Sequence, residues 1–408
     1  MKAVQFTVDI PRYLITKALG TLLSSIYSSL ISCLEYRDVD DLKLHNEEWA
    51  KVKVKYAGIC GSDMNLIYLR DSSYASPFTS SRFTMGHENL GSIAELGNKV
   101  EGFATGDRVV VDPILPCITR GIEKLCSFCE CGELSRCEHF ADGNLAPGLI
   151  IGTCLDTGGG WSPYFIAHKS QLFKVPDGVS DENAVLIDPF CSALRSVIRN
   201  YPKDSEVVLI VGSGVIGLCV VAALRALESK ARIVVLAKYE FQGELAEHYG
   251  ANEVICLQQH KDYFEALAYS LKARVYQPVF GRRVLVGGAD LVFECVGNDS
   301  SIDDALRFTR TGGKMVLLGL AAYHKKVDWT PIWLKELELR GSFACATENY
   351  QGKQIRTYQI ALDLMADGKV DLSPLLTHKC KLIDYRQAIK MTAHKRKNRV
   401  IKTVFAFD

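Results

Sequence analysis

Residues 207–224 read VVLIVGSGVIGLCVVAAL, an uncharged run nearly long enough to cross a bilayer. Its glycines decide against that. Gly212, Gly214 and Gly217 form G-S-G-V-I-G directly after the strand-like VVLIV, and Val215 and Ile216 open a helical run behind them. In such a loop the first glycine permits a tight turn, and the second admits a pyrophosphate close to the backbone. The third lets helix and strand pack closely, and the helix N-terminus faces the phosphates. The motif alone is weak, but here it has its strand–turn–helix context.

Outward from this loop the rhythm supports the same reading. ARIVVLA, EVICL, ADLVFECVG and GGKMVLLG read as strands, and GELAEHYGA and SIDDALRFT read as helices between them. Strands alternating with helices predict βαβ units and a parallel sheet. At the end of the second strand, where an NAD site usually carries an acid for the ribose, stand Ala237 and Lys238. Loss of the carboxylate and gain of a cation favour NADP(H) over NAD(H). Before residue 185 the pattern is short and strand-rich: KVKVKYAGI, GSIAELG, GDRVVVDPI and SPYFIAHKSQLFKVP. The last 70 residues return to mixed character, so the expected architecture is a β-rich domain interrupted by an α/β insertion.

The bulk numbers agree with a two-domain chain of 408 residues. The net charge of +1 gives no electrostatic case for nucleic acid or an anionic membrane. A second apolar stretch, YLITKALGTLLSSIYSSLISCL (13–34), repeats apolar pairs every four residues. It predicts a surface or interface helix with one apolar and one Ser/Thr face, rather than a targeting sequence or a membrane-associating helix.

Five of fourteen cysteines crowd into 117–137. Cys117, Cys126, Cys129 and Cys137, with Gly132 in the turn, have the CxxC-containing spacing of a tetrahedral structural zinc site in a reducing compartment, leaving Cys131 outside. Upstream, GICGSDMN (58–65) and MGHEN (85–89) offer a thiolate at Cys60 and an imidazole at His87, with an acid, Glu88, beside it. In AVLIDPFCSALR (184–195), Asp188 and Cys191 are two further metal donors three positions apart.

Taken together, Cys60-Gly61-Ser62-Asp63, Gly86-His87-Glu88, Gly106-Asp107-Arg108-Val109, the four-cysteine lobe, GSGVIG and FECVG resemble the zinc-containing medium-chain dehydrogenase/reductase superfamily, its polyol and threonine branches above all. The resemblance implies an α/β protein with a GroES-like β-rich catalytic domain (1–192 and 336–408) and a Rossmann doubly wound parallel-sheet domain (193–335). It implies one structural and one catalytic zinc, the latter held by Cys60 and His87, with Glu88 as a ligand or exchangeable acid. The Asp188-Pro189 dipeptide stands where the polyol branch has a ligating acid, which favours Asp188 over Cys191. Ser62 would take the hydroxyl proton, and Val296 and Gly297 would approach the nicotinamide through their backbone.

Two departures stand out: Asn65 occupies a place where relatives often have a relay histidine, and Arg195 one where some have another. The expected activity is hydride transfer between a secondary alcohol or polyol, or its ketone, and NAD(P). The alternatives are a zinc-independent quinone- or enoyl-type reductase of the same fold, or a non-catalytic cofactor-binding protein. The partner is a small-molecule alcohol or ketone, without nucleic acid or membrane, and the chain is expected to be a cytoplasmic homodimer or homotetramer.

Overall fold

The computed structural model describes all 408 residues, which divide into two compact units. One comprises Met1–Asp188 and Ala344–Asp408, the other Pro189–Phe343.

The second unit is built on a six-stranded parallel sheet. Its central strand is Val207–Val211, flanked on one side by Arg232–Ala237 and Glu253–Cys256. On the other side lie Ala289–Glu294, Thr309–Leu317 and Glu338–Gly341. In chain order this is the 3-2-1-4-5-6 arrangement of a dinucleotide fold. The apolar run of 207–224 is thereby explained. Val207–Val211 is sandwiched inside the sheet, and the helix Val215–Ala226 is buried over most of its circumference. No helix in the chain is long and apolar enough to cross a membrane. The strand Glu338–Gly341, grouped with the β-rich part on its sequence character, pairs in parallel with Thr309–Leu317. The polar stretch after EVICL contains a helix, Tyr263–Ser270, and a small antiparallel hairpin, Arg274–Tyr276 with Val284–Val286.

The first unit centres on a mostly antiparallel sheet around the long strand Trp49–Gly58, which pairs with Asn89–Leu96, Tyr164–His168 and Lys402–Ala406. Alternate residues of Trp49–Gly58 turn inward up to Val54, and a register shift before Tyr56 then turns Ala57 inward, so Val52, Val54 and Ala57 join Trp161, Phe165 and Phe405 in one core. A smaller sheet, Leu34–Asp38, Lys2–Thr7 and Arg82–Thr84, closes against it.

The 13–34 stretch departs from the expected single helix. Asp9 caps a helix over Ile10–Leu22 with Pro11 in its first turn. Leu23 then turns extended, and a 3-10 turn follows at Ser24–Ser28. The Thr/Gly side of the helix, and not its apolar side, faces the rest of the unit. Thr16 and Gly20 face inward, Thr16 Oγ1 donating to the Ile31 carbonyl and Gly20 lying under the Tyr27 ring. The leucines and isoleucines face out.

Candidate active site

The first donor group lies in the β-rich unit, where two neighbouring strands end together. Asn89 is in register with Ala57, so the chain preceding Asn89 runs alongside the chain leaving Gly58. Gly58 N–H donates to the Glu88 carbonyl, and Trp161 Nε1 donates to the Gly58 carbonyl. A side chain at Gly58 would strike the Glu88 carboxylate, and one at Gly86 (φ +95°) would strike the Trp161 indole. These two glycines therefore set the seat of the GHE segment.

Cys60 caps the short helix Gly61–Ile67, and the Asp63 carboxylate returns to accept the Cys60 N–H at 2.8 Å. Cys60 Sγ, a His87 nitrogen and a Glu88 oxygen come within 4.8 Å of one another, close enough for one ion. His87 and Glu88 are buried. Asp63 lies 3.6 Å from His87 Nδ1, which is how a carboxylate orients a ligating imidazole, and Ser62 Oγ lies 3.4 Å from Nε2.

Charge at this site is finely opposed. Burial disfavours a charged His87, but the Asp63 carboxylate and the Cys60 sulfur outweigh it and hold the imidazole well above its usual range. Glu88 forms an ion pair with Lys402, each only 1% exposed. Apart from that pair neither carboxylate oxygen nor the ammonium has a hydrogen-bond partner. Burial opposes the charge on Lys402, while Glu88 and Cys60 restore it and raise its pKa. A half-buried thiol, a buried imidazole and a buried carboxylate with unsatisfied lone pairs fit a divalent metal of zinc's character.

Asp188 is not among the three converging donors. The helix begins at Ile187, which places Asp188 in its first turn, and Oδ1 accepts from the Tyr358 hydroxyl at 2.9 Å. Burial pushes its pKa up to about 6 against the opposing pull of His87, so the two groups sense each other's charge. Cys191 is fully buried.

The second donor group is the cysteine lobe. Cys117, Cys126, Cys129 and Cys137 are buried, with all four sulfurs within 4.8 Å, while Cys131 is exposed. Backbone N–H groups of Cys126 and His139 point at the sulfurs of Cys117 and Cys137, at 3.5 and 3.4 Å. A hydrogen bond from Cys129 holds the Cys137 thiol down at about 5 despite its burial. Converging sulfurs that receive N–H donors fit four metal-bound thiolates.

In the other unit the three loop glycines have three distinct reasons. Gly212 has φ +99° and a Cβ there would strike Val296; a Cβ on Gly217 would strike the Gly212 carbonyl oxygen. Around Gly214, at the start of the helix, nothing lies within 4 Å of an added Cβ. That open space before a helix N-terminus fits a pyrophosphate. Val296 and Gly297 follow the strand Ala289–Glu294, and both donate N–H to the buried carboxylate of Glu294. Lys238 is exposed, its ammonium 5.4 Å from the centre of the Tyr239 ring.

Asp63, Lys402 and Glu294 were not singled out by sequence reasoning. Asp63 sits inside the quoted CGSD motif, and Glu294 inside FECVG. Lys402 had one available signal: a lysine in the otherwise apolar strand of RVIKTVFAF.

A nucleotide-type parallel sheet joined in one chain to a β-rich unit with a Cys/His/carboxylate centre and a four-thiol lobe defines a dehydrogenase of the medium-chain class. Comparison with known proteins agrees. Residues 46–177 match the alcohol dehydrogenase GroES-like domain, and residues 215–366 match the zinc-binding dehydrogenase domain. The chain is 29% identical over 358 residues to L-idonate 5-dehydrogenase of Vitis vinifera, covering 87% of each. It is 28% identical to sorbitol dehydrogenase 1 of Saccharomyces cerevisiae, over 87% of this chain and 89% of that one. The solved alcohol dehydrogenase of Aeropyrum pernix superposes with a TM-score of 0.74 at 21% identity, over all of both chains. The chain therefore belongs to the zinc-containing medium-chain alcohol and polyol dehydrogenase family.

Proposed function

We propose that this protein interconverts a secondary alcohol or polyol and its ketone, using zinc and a nicotinamide cofactor, with NADP(H) preferred. The observation that carries the reading is the convergence of half-buried Cys60 with buried His87 and Glu88 in a chain that also has the three-glycine loop. A reductase working without metal has no use for such a donor set. Zinc held by Cys60 and His87 would act as a Lewis acid, lowering the pKa of the substrate hydroxyl, and the nicotinamide would accept the hydride.

The residues of the chain have the remaining tasks. Asp63 fixes the His87 ring through Nδ1, leaving Nε2 free to ligate. Glu88 lends a carboxylate that Lys402 otherwise holds, and Asp188 adds a neighbouring negative charge. Ser62 accepts the hydroxyl proton and passes it outward, because Asn65 cannot titrate. Gly212, Gly214 and Gly217 receive the pyrophosphate. Lys238, following Ala237 where an acid would repel it, attracts a 2′-phosphate. The lobe of Cys117, Cys126, Cys129 and Cys137 holds a second, structural zinc. Thiolates kept ready for metal support a cytoplasmic location.

Metal analysis together with turnover of an alcohol and ketone panel, with both nicotinamide cofactors, tests the proposal. Two zinc ions per chain and loss of turnover in Cys60→Ser, with circular dichroism unchanged, are expected. Full activity in Cys60→Ser would overturn it.

A further inference from the structure

The overall charge of +1 conceals a local imbalance. The helix Ile10–Leu22 and the turn after it expose Ile10 (70%), Leu22 (80%) and Leu30 (76%), along with Leu14, Ile15, Leu19, Leu23 and Ile31. These exposed aliphatic side chains crowd into one short segment, unlike the singly scattered apolar residues of an ordinary monomer surface. Between residues 10 and 34 the charges are Arg12 and Lys17, with no acid.

The 3-10 turn Ser24–Ser28 packs against the helix Tyr385–Ala393, and Tyr36 stacks on Tyr385 with ring centres 6.1 Å apart. That helix opens the segment RQAIKMTAHKRKNR (386–399), which has Arg386, Lys390, Lys395, Arg396, Lys397 and Arg399 and again no acid. Lys390 and the residues from Lys395 to Lys397 are exposed. A groove of about 610 Å³ lies between the strand Leu34–Asp38 and the start of that helix, lined by Arg12, Arg37 and Arg386 together with Leu30 and Ile383. Glu35 and Asp384 also line it, but Glu35 is engaged by Arg12 and Arg37. Arg386 Nε and the hydroxyl of Tyr385, itself 4% exposed, are buried at this groove without hydrogen-bond partners.

We infer that this face docks the protein on the surface of a bilayer rich in anionic phospholipid. An outward apolar face supplies one anchoring signal and an adjacent polybasic segment the other, which is the pairing that peripheral attachment requires. The helix lies on the surface and does not span it. A second copy of the chain is the weaker occupant, because an isologous pair would set the same cation-rich rim of both copies around one interface.

Flotation of the zinc-replete full-length protein with phospholipid vesicles tests this. The protein should float with vesicles containing about a third phosphatidylserine at low salt, stay behind with pure phosphatidylcholine, and be released by high salt. Leu22→Gln/Leu23→Gln and Arg396→Glu/Lys397→Glu should each lower partitioning at least about tenfold, since each cation near the surface is worth roughly fivefold. Both should keep wild-type circular dichroism and turnover in solution. Absence of flotation with anionic vesicles, or flotation that neither variant weakens, would overturn the inference. So would light scattering in which Leu22→Gln/Leu23→Gln splits a larger species into a smaller one, which would give the face to a second copy.

Discussion

Replacing Lys402 with methionine tests the electrostatics beside the donor group. The change keeps most of the packed stem and removes the ammonium, leaving Glu88 in place. Both side chains are 1% exposed, so solvent does not screen the loss as it would at the surface. Neither Glu88 oxygen has a hydrogen bond to fall back on. Removing one partner of such a buried pair costs about 3–5 kcal/mol, whereas replacing both with neutral groups of similar volume costs far less. Lys402→Met should therefore destabilise the β-rich unit by about that amount, and Glu88→Gln/Lys402→Met should be more stable than Lys402→Met alone.

The two units need not unfold together, so urea-dependent hydrogen exchange should be followed on peptides from Trp49–Gly58 and Lys402–Ala406, which report on this unit alone. The measurement is made on zinc-replete and on chelated protein. Bound zinc offers Glu88 a second cation, so the cost of Lys402→Met should be smaller with metal than without. A cost below about 1 kcal/mol in chelated protein, or strict additivity in the double variant, would refute the reasoning.

Other consequences are separable. Gly214→Ala, which meets nothing within 4 Å, should melt like wild type yet bind the nicotinamide cofactor at least about tenfold more weakly by fluorescence titration. Gly217→Ala drives a methyl into the Gly212 carbonyl and should lower stability by about 1–3 kcal/mol in thermal melts, even without cofactor. Cys137→Ser should reduce the zinc content by one equivalent and lower the melting temperature, while the remaining zinc persists by mass spectrometry. Asp188 has a folded pKa of about 6, above its ordinary value of 3.8. The native state thus holds a proton that the unfolded chain has released between those pH values, and stability falls as pH rises through the window. In chelated protein, the stability of Asp188→Asn relative to wild type should climb from pH 4 to pH 6 and then level off. An unchanged difference across that range would remove Asp188 from the account.

The α/β half was legible because its signals are local. A glycine triplet between a strand and a helix constrains its own backbone, and βαβ alternation leaves a single favoured crossover handedness. The clustering of the cysteine lobe was legible for the same reason, since four thiols within twenty-one residues leave little topological freedom. The centre at Cys60 is different. Its members come from residues 60, 63, 87, 88 and 402, and only the pairing of Lys402–Ala406 with Trp49–Gly58 carries the lysine there. Nothing near Lys402 in sequence reveals that its partner is Glu88, although a lysine in a strand that reads as buried demands some anion.

The 13–34 segment shows the opposite failure. Its apolar spacing implied one helix over 13–34, whereas the helix ends at Leu22 and a 3-10 turn follows, and periodicity identifies a face without saying what covers it. Thr16 and Gly20 are the residues small enough to let the helix lie against Tyr27 and the chain at Ile31. The leucines that a self-contained domain would bury are left facing out. An apolar stripe of that size costs solubility unless something meets it, and the cations of 386–399 restrict what that something is. The same side chains thus carry two different arguments: their spacing sets the local helix, and their exposure points to a partner outside the chain.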